Sequence, residues 1–298
     1  MQLDLSRLAT EGRNPETMAL DTMTSLEIVT AMNREDHQVP EAVSKVLPRI
    51  AAAAQAAAMA IQKGGRLIYM GAGTSGRLGV LDAVECPPTF GVSPETVIGL
   101  IAGGEKAFIK AVEGAEDSEE LGKKDLEAIH LRKEDFVVGI AASGRTPYVL
   151  GGLAYAGRLG CHTAAVACNA GSAIGKAAEL AIEVVPGPEV LTGSTRLKAG
   201  TCQKMILNMI STTAMVLSGK AYENLMVDVM QTNEKLRIRA RNMVMEATGE
   251  TAETAEAKLR EAEGSAKLAI TMILADCDSA EARKRLQKAG GHVRKAIL

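Results

Sequence analysis

The sequence predicts an α/β fold, in which a parallel sheet of five strands lies between layers of helices and a small helical domain follows. The first observation is a set of short apolar runs separated by helical segments, at residues 66–70, 97–102, 136–141, 163–168 and 180–185. Strands that alternate with helices form βαβ units, whose right-handed crossovers cover both faces of a parallel sheet. The second observation is that strand patterns end before residue 235, beyond which Ala, Glu, Lys and Arg dominate. We therefore predict a first domain over residues 1–235, with its core at about 55–220, and a helical bundle over 236–298.

Helices are predicted from apolar periodicity and capping residues. Thr24 is a candidate cap for a helix over 24–33, and an Ala-rich helix is expected to run unbroken over 40–63. The helix that begins near Gly76 is expected to end at residues 86–88, because two prolines there disfavour its continuation. Further helices are predicted over 106–129, 147–159 and 196–219. Residues 278–281 (DSAE) fit a capping box at the start of another helix, with Asp278 as its cap.

Composition narrows the class of protein. The chain of 298 residues has a formal net charge of −2, only 2% aromatic residues and no Trp, so nucleic-acid and membrane partners are not expected. Five cysteines without a close pair favour reduced thiols and a cytoplasmic protein, and scattered histidines favour no metal site. Residues 1–7 lack a basic-then-apolar pattern, so no secretory signal is predicted.

A glycine-rich loop at residues 71–76 (GAGTSG) follows the first strand and opens a helix. Such a loop favours anions, because glycines admit close backbone approach and a helix N-terminus offers free N–H groups. Its spacing also matches a dinucleotide fingerprint, but the second strand ends in glycines and its first acid is Glu105, which is a poor match to a ribose-binding residue. Gly73, Thr74, Ser75 and Gly76 are therefore candidates for binding a monophosphate, since two hydroxyls lie within the loop.

A second hydroxyl-rich loop follows the third strand at residues 141–147 (AASGRTP). Because parallel strands end at one edge of the sheet, both loops are expected to converge on one small ligand there. We favour a compact sugar phosphate over a dinucleotide or a merely structural turn. The candidates for binding it in the second loop and at the start of the 196–219 helix are Ser143, Gly144, Arg145, Thr146, Ser194 and Lys198. Arg145 is as well explained by a structural role, and Ser194 and Lys198 by helix capping.

Several longer motifs resemble the bacterial N-acetylmuramic acid 6-phosphate etherase family, which has the sugar isomerase (SIS) fold. They are residues 10–14 (TEGRN), 65–79 (GRLIYMGAGTSGRLG), 82–88 (DAVECPP), 111–118 (AVEGAEDS), 139–148 (GIAASGRTPY), 192–201 (TGSTRLKAGT) and 224–228 (NLMVD). The resemblance implies an SIS-type three-layer α-β-α sandwich. It also implies release of D-lactate from the C3 ether of N-acetylmuramic acid 6-phosphate, in cytoplasmic recycling of cell-wall sugars.

The same resemblance implies roles for three acidic residues. Glu85 corresponds to the acid that protonates the departing lactate, Glu116 to the base that removes the C2 proton, and Glu113 to a ligand of sugar hydroxyls. The resemblance implies no metal. We also expect no cofactor, and a homodimer with its sites near the subunit interface. Judged locally, Glu113 and Glu116 resemble an acidic helix face or a turn, and on a helix their three-residue spacing would put them on one side. Cys86, beside Glu85, is better explained by burial than as a nucleophile, because no base is visibly paired with it.

Helix geometry adds one expectation about Glu85. From Gly76 to Glu85 a continuous helix rises about 13 Å, whereas C3 of a hexose 6-phosphate lies only about 7 Å from phosphorus on ordinary bond lengths. Glu85 would therefore reach past a sugar bound at its own loop. Either a dimer partner supplies Glu85, or the helix ends early.

Three alternatives remain at this stage. A catalytically silent sugar-phosphate sensor, like the animal glucokinase regulatory protein, has no need of both Glu85 and Glu116. An aldose–ketose isomerase would share the base at C2 but not the acid at C3. An NAD enzyme would show a nicotinamide-dependent absorbance change.

Overall fold

The computed structural model of the chain describes residues 8–110, 112–229 and 234–298. Within them, five strands form one sheet: β1 Leu67–Gly71, β2 Val97–Ile101, β3 Phe136–Ala141, β4 His162–Ala167 and β5 Leu180–Glu183. The helices up to the last strand are α1 Ser25–Asp36, α2 Gln38–Ser44, α3 Leu47–Gln62, α4 Gly73–Phe90, α5 Lys106–Ile109, α6 Glu119–Ala128, α7 Pro147–Leu159 and α8 Ala173–Ala177. They are followed by α9 Lys198–Leu217, α10 Glu234–Thr248, α11 Ala252–Glu261, α12 Ala266–Leu274, α13 Ser279–Lys288 and α14 Val293–Ala296.

The predicted parallel sheet is confirmed, with the strand order β2-β1-β3-β4-β5 and every pairing parallel. All residues of β1 and β3 are buried, as expected for central strands covered on both faces. At the edge of the sheet, a Cβ on Gly99 of β2 would lie 2.5 Å from Val80 Cα, so the glycine lets α4 approach closely. The five apolar runs of the sequence therefore predicted the positions of the five strands correctly.

Side chains of β1 show the three layers directly. Met70 reaches one face, where a Cβ on Gly152 of α7 would lie 2.0 Å from its Cε. Tyr69 points to the other face, against Gly79 of α4, and its hydroxyl donates to the Leu207 carbonyl of α9 at 3.4 Å. Successive strand residues alternate between faces, so these two neighbours define an α-β-α sandwich.

Several helix boundaries differ from the sequence expectations. The helix expected over 40–63 is two helices, α2 and α3, because Pro48 takes the first turn of a new helix rather than the interior of a long one. The segment expected as one helix over 106–129 is also divided, with Gly114 in the left-handed region at φ 73° between α5 and α6. The expectation that α4 ends at the prolines is wrong, because both lie in its last turn and it continues to Phe90.

Two end signals were read correctly. Thr24 caps α1 in a capping box, in which its hydroxyl accepts from the Glu27 amide and the Glu27 carboxylate accepts from the Thr24 amide. Asp278 likewise caps α13 by accepting from the Glu281 amide at 2.8 Å. Short polar side chains accept hydrogen bonds from the free N–H groups of the first turn of a helix. Because the capping residue lies next to that turn in the sequence, the start of the helix can be predicted from it.

The starts of β1 and β3 are joined by a buried carboxylate. Asp135, whose side chain is fully buried, accepts from the Arg66 amide at 2.9 Å, from the Arg66 guanidinium at 2.6 Å and from the Arg132 amide at 2.9 Å. Burial alone would raise the pKa of Asp135, but these donors outweigh it and hold the pKa below its usual value.

Asp135→Asn is expected to lower the free energy of unfolding by about 3 kcal/mol, because it leaves Arg66 without its buried counter-charge. The folded-state pKa lies below the unfolded value, so the stabilisation is present above about pH 4 and is lost as the pH falls through the folded-state pKa. Urea unfolding at neutral and acid pH tests this, with the exposed Asp21→Asn as control. Equal losses in the two variants, or no flattening of the acid dependence in Asp135→Asn, would contradict it.

The described chain divides by contacts into two compact units. One comprises Met1–Val84 with Glu95–Ser211, and the other Glu85–Pro94 with Thr212–Leu298. The second unit has its own apolar cluster, in which Ala240, Val244, Ala255 and Ile270 are fully buried. The predicted boundary at residue 235 stays a prediction. Residues 1–7, for which no secretory signal is predicted, lie outside the described residues.

Candidate active site

The candidate site lies at the carboxyl edge of the sheet, where the strand order reverses. From β1 the chain first moves outward to β2 and then crosses back to β3 on the other side of β1. Ligands of open α/β sheets bind at such a switch point, in the crevice beyond the strand ends. The loops at residues 71–76 and 141–147 follow β1 and β3, whose residues Gly71 and Ile140 are paired neighbours.

The first loop makes a very tight passage from β1 into α4. A Cβ on Gly76 would lie 2.6 Å from the Gly71 carbonyl oxygen, and one on Gly71 would lie 2.8 Å from the Gly76 amide nitrogen. Gly73 begins α4 with a positive φ of 53°. The free N–H groups of this first turn therefore sit at the switch point, where they favour an anion.

The two hydroxyl residues of this loop have different surroundings. Ser75 is buried, and its hydroxyl donates to Gln203 Oε1 of α9 at 3.0 Å. Thr74 is half-buried beside the first turn of α9, because a Cβ on Gly200 would lie 3.5 Å from its Cγ2. Sequence reasoning missed Gln203, since a single glutamine in an apolar helix carries no recognisable pattern.

The second loop is held against the segment that follows β4. Gly144 has a φ of 72°, and a Cβ there would lie 2.4 Å from Ser172 Cβ, so this position requires glycine. The Arg145 amide donates to Ser143 Oγ at 3.3 Å. Thr146 precedes α7, which begins with a proline. Ser143, Arg145 and Thr146 are all partly exposed at this edge.

Glu113 and Glu116 line one cavity together with Gly73, the first residue of α4. The cavity measures about 220 Å³ and is also lined by Arg77 and Gly114. Of the two local interpretations, a helix face and a turn, the structure shows the turn. Glu113 precedes the left-handed Gly114, and Glu116 lies in the 3₁₀ turn Ala115–Asp117. The turn brings both exposed carboxylates to the glycine loop.

Arg77 is a further residue of this cavity that was not predicted. Its guanidinium donates to the carbonyls of Ala107 at 2.8 Å and Phe108 at 2.7 Å, which holds α5 beside the start of α4. Its position directly after the glycine loop could have identified Arg77 as a candidate from the sequence. Its cation, one turn into α4, adds positive charge to the cavity.

Lys198, predicted to bind substrate or to cap α9, lies in the first turn of α9 and does not line this cavity. Its ammonium is fully buried and bonds Glu35 Oε2 of α1 at 2.6 Å, outside the residues that line the cavity. Burial alone would raise the pKa of Glu35, but donation from Lys198 and Asn14 holds it below its usual value. Glu189 caps the start of α9, because its carboxylate accepts hydrogen bonds from the Lys198 and Ala199 amides.

Ser194 lies in the turn just before α9 and is partly exposed. Its amide donates to the Leu191 carbonyl at 3.0 Å, and the Leu197 amide donates to its carbonyl at 3.2 Å. The turn places Ser194 before the first turn of α9, the helix whose Gly200 adjoins Thr74.

Glu85 belongs to the second unit and is exposed on α4. The neighbouring Cys86 is buried, with 2% of its surface exposed. Among the described residues, no group of three or more His, Cys, Asp or Glu side chains is placed to hold a metal ion. In the same part of the chain, no helix is both long and apolar enough to span a bilayer.

The fold and the two loops at its switch point define an SIS-domain protein. The profile of the glucokinase regulatory protein N-terminal SIS domain matches residues 49–157. A proposed phosphosugar isomerase involved in capsule formation from Bacteroides fragilis superposes with a TM-score of 0.51 at 17% identity, over 67% of this chain and 95% of its own.

Close relatives specify the family. The N-acetylmuramic acid 6-phosphate etherase of Halalkalibacterium halodurans is 60% identical over 98% of this chain and 98% of its own length. That of Cronobacter sakazakii is 60% identical over 99% of each chain. The chain belongs to the N-acetylmuramic acid 6-phosphate etherase family.

Proposed function

We propose that this chain cleaves the D-lactyl ether of N-acetylmuramic acid 6-phosphate, giving N-acetylglucosamine 6-phosphate and D-lactate. Membership of the etherase family supports the reaction. The observation that carries it is the shared cavity, in which Glu113 and Glu116 lie beside Gly73 of the glycine loop. This arrangement supports a carboxylate base that acts next to an anion site, as removal of the C2 proton of a sugar phosphate requires.

The phosphate is bound at the switch point. The Gly73 N–H and the hydroxyls of Thr74 and Ser75 bind it from the first loop. Gly76, whose own N–H donates to the Ala72 carbonyl at 3.2 Å, contributes by allowing the tight turn. Ser143, Gly144, Arg145 and Thr146 bind from the second loop, and Ser194 approaches from the turn before α9. Lys198 serves this site through its ion pair with Glu35, which fixes the start of α9.

The reaction is an elimination followed by a hydration, which makes the enzyme a carbon–oxygen lyase. In the open-chain sugar the C2 proton lies beside the aldehyde, so Glu116 can remove it. The electron pair forms a C2–C3 double bond and the C3–O bond breaks. Glu85 protonates the lactate oxygen, and water then adds at C3 while a proton returns to C2. Two carboxyls of opposite protonation state are what this sequence of steps needs.

Glu85 is supplied by the second subunit of a homodimer. Support comes from α4, which continues without a break through Glu85, so helix rise carries this residue past a sugar anchored at its own loop. Glu113 binds sugar hydroxyls in the cavity. We place the reaction in the cytoplasm and retain a sugar-phosphate domain over residues 1–235 with a helical domain over 236–298.

Turnover in water enriched in ¹⁸O tests the reaction. Heavy oxygen is expected at C3 of the N-acetylglucosamine 6-phosphate product, while the released lactate keeps the original ether oxygen. Mass spectrometry of both products, after reduction of the aldehyde to stop carbonyl exchange, reads the label. Label confined to the carbonyl position would indicate an isomerase, and folded protein that binds the sugar phosphate but releases no lactate would indicate a sensor.

A further inference from the structure

The hydrogen bond between Ser75 and Gln203 leaves a buried donor without a partner. Ser75, the third residue of α4, donates its single proton to Gln203 Oε1 at 3.0 Å. Gln203 is 1% exposed, and its Nε2 has no hydrogen-bond partner among the described residues. From the C=O and C–N bond lengths this nitrogen lies about 2.2 Å from Oε1. The unpaired donor therefore belongs to an amide already in contact with the glycine loop.

The direction of this hydrogen bond conflicts with phosphate binding. A serine hydroxyl has one proton and two lone pairs, and a phosphate presents mainly acceptor oxygens. While the Ser75 proton is directed at Gln203 Oε1, the hydroxyl offers a phosphate only lone pairs. An anion at the first turn of α4 therefore requires this proton to turn away from Gln203.

A half-turn of the Gln203 amide gives the unpaired Nε2 a partner and also frees the Ser75 proton for the phosphate. It exchanges Nε2 for Oε1, so that Nε2 donates to Ser75 Oγ and the Ser75 proton becomes free to donate to a phosphate oxygen. The buried N–H gains the partner that it lacks, and the carbonyl oxygen left behind is the less costly group to leave unpaired. The surrounding packing is unchanged, since the two orientations have the same shape.

We propose that Gln203 is a positioning residue that presents the Ser75 hydroxyl to the phosphate as a donor. It acts through Ser75 and does not touch the reacting atoms. The proposal rests on the function proposed above, because it takes the anion at the glycine loop to be the sugar 6-phosphate. With Gln203, the residues that select phosphorylated sugars include one from α9, which lies far from both loops in the sequence.

A double-mutant cycle with Ser75→Ala and Gln203→Met tests the proposal. Affinity for N-acetylglucosamine 6-phosphate is measured by calorimetry for the wild type, both single variants and the double variant. Gln203→Met is expected to weaken binding about tenfold, as for the loss of one hydrogen bond to a charged group. In the Ser75→Ala background the same change is expected to have almost no further effect. The unfolding temperature of Gln203→Met is expected to lie within a few degrees of that of the wild type, since methionine conserves the side-chain volume and removes the unpaired donor.

Ser211→Ala is the matched control on α9. Ser211 donates to Asp82 Oδ1 at 3.1 Å, so this variant also loses a buried hydrogen bond of the same helix. It is expected to unfold at lower temperature with less than a twofold change in affinity. Should Gln203→Met fail to fold, Gln203→Glu replaces it, and a weakening of more than tenfold is expected because a carboxylate can only accept the Ser75 proton.

Wild-type affinity for Gln203→Met, or additive losses in the cycle, would overturn the role of Gln203 while leaving the proposed function standing. A wild-type protein that discriminates poorly between N-acetylglucosamine 6-phosphate and N-acetylglucosamine would overturn both. A drop in unfolding temperature of Gln203→Met that parallels its loss of affinity, as in a purely structural role, would also count against the inference.

Discussion

Glu116→Gln is expected to abolish both proton exchange at C2 and lactate release, with kcat lower by roughly 10²- to 10⁴-fold. Glutamine keeps the shape of the side chain but cannot accept the C2 proton. Because deprotonation precedes elimination, every later step is lost with it. Incorporation of deuterium from D₂O at C2 of substrate or product, together with lactate release, measures the two steps separately.

Glu113→Gln is the matched comparison, since Glu113 lines the same cavity. It is expected to raise KM by more than it lowers kcat, because a ligand of sugar hydroxyls acts on binding. The exposed Asp117→Asn, next to Glu116, controls for loss of charge in the turn and is expected near wild-type activity. Undiminished C2 exchange in Glu116→Gln would assign the base to another residue.

Glu85→Gln is expected to retain C2 proton exchange while lactate release falls by roughly 10²-fold or more. Without an acid, the departing alkoxide is a poor leaving group, whereas the proton at C2 can still be removed. The same deuterium and lactate assays apply to the product N-acetylglucosamine 6-phosphate and to the substrate. Loss of both activities together would give Glu85 the role of base or of a structural residue.

Mixing the two inactive variants tests which subunit supplies Glu85. If each site combines Glu116 of one subunit with Glu85 of the other, a mixed dimer keeps one intact site out of two. Random exchange of subunits in a two-fold dimer then restores roughly a quarter of wild-type activity. If Glu85 acts within its own subunit, every site in the mixture lacks one carboxylate and no activity returns.

The sheet was predictable because its signals are local. Five apolar runs bounded by glycines and polar turns gave the strands within one or two residues, and the loops after β1 and β3 followed from them. Helix ends were predictable where a side chain caps its own helix, as Thr24 and Asp278 do. Both kinds of signal depend on residues within a few positions of each other.

What failed depends on contacts between distant residues. Nothing near Lys198 in the sequence reveals that its ammonium is buried against Glu35, and a part for Lys198 in binding the substrate stays a prediction. The break before α3 and the continuation of α4 through two prolines were missed because proline restricts, but does not determine, where a helix ends. The single helix expected over 106–129 is interrupted by the left-handed Gly114, so that of the two interpretations of Glu113 and Glu116 the turn is the one that forms.

The ion pair between Glu35 and Lys198 has a consequence for the order in which the protein matures on the ribosome. The two residues are 163 positions apart, and both are almost completely buried when paired. At synthesis rates of about 5–20 residues per second, roughly 8 to 30 s pass between the emergence of one and of the other. During that interval Glu35 lacks its buried counter-charge, so the ion pair that joins α1 to the start of α9 cannot form. The last strand ends at Glu183, 15 residues before Lys198, so Glu35 waits for its counter-charge through almost the whole synthesis of the sheet.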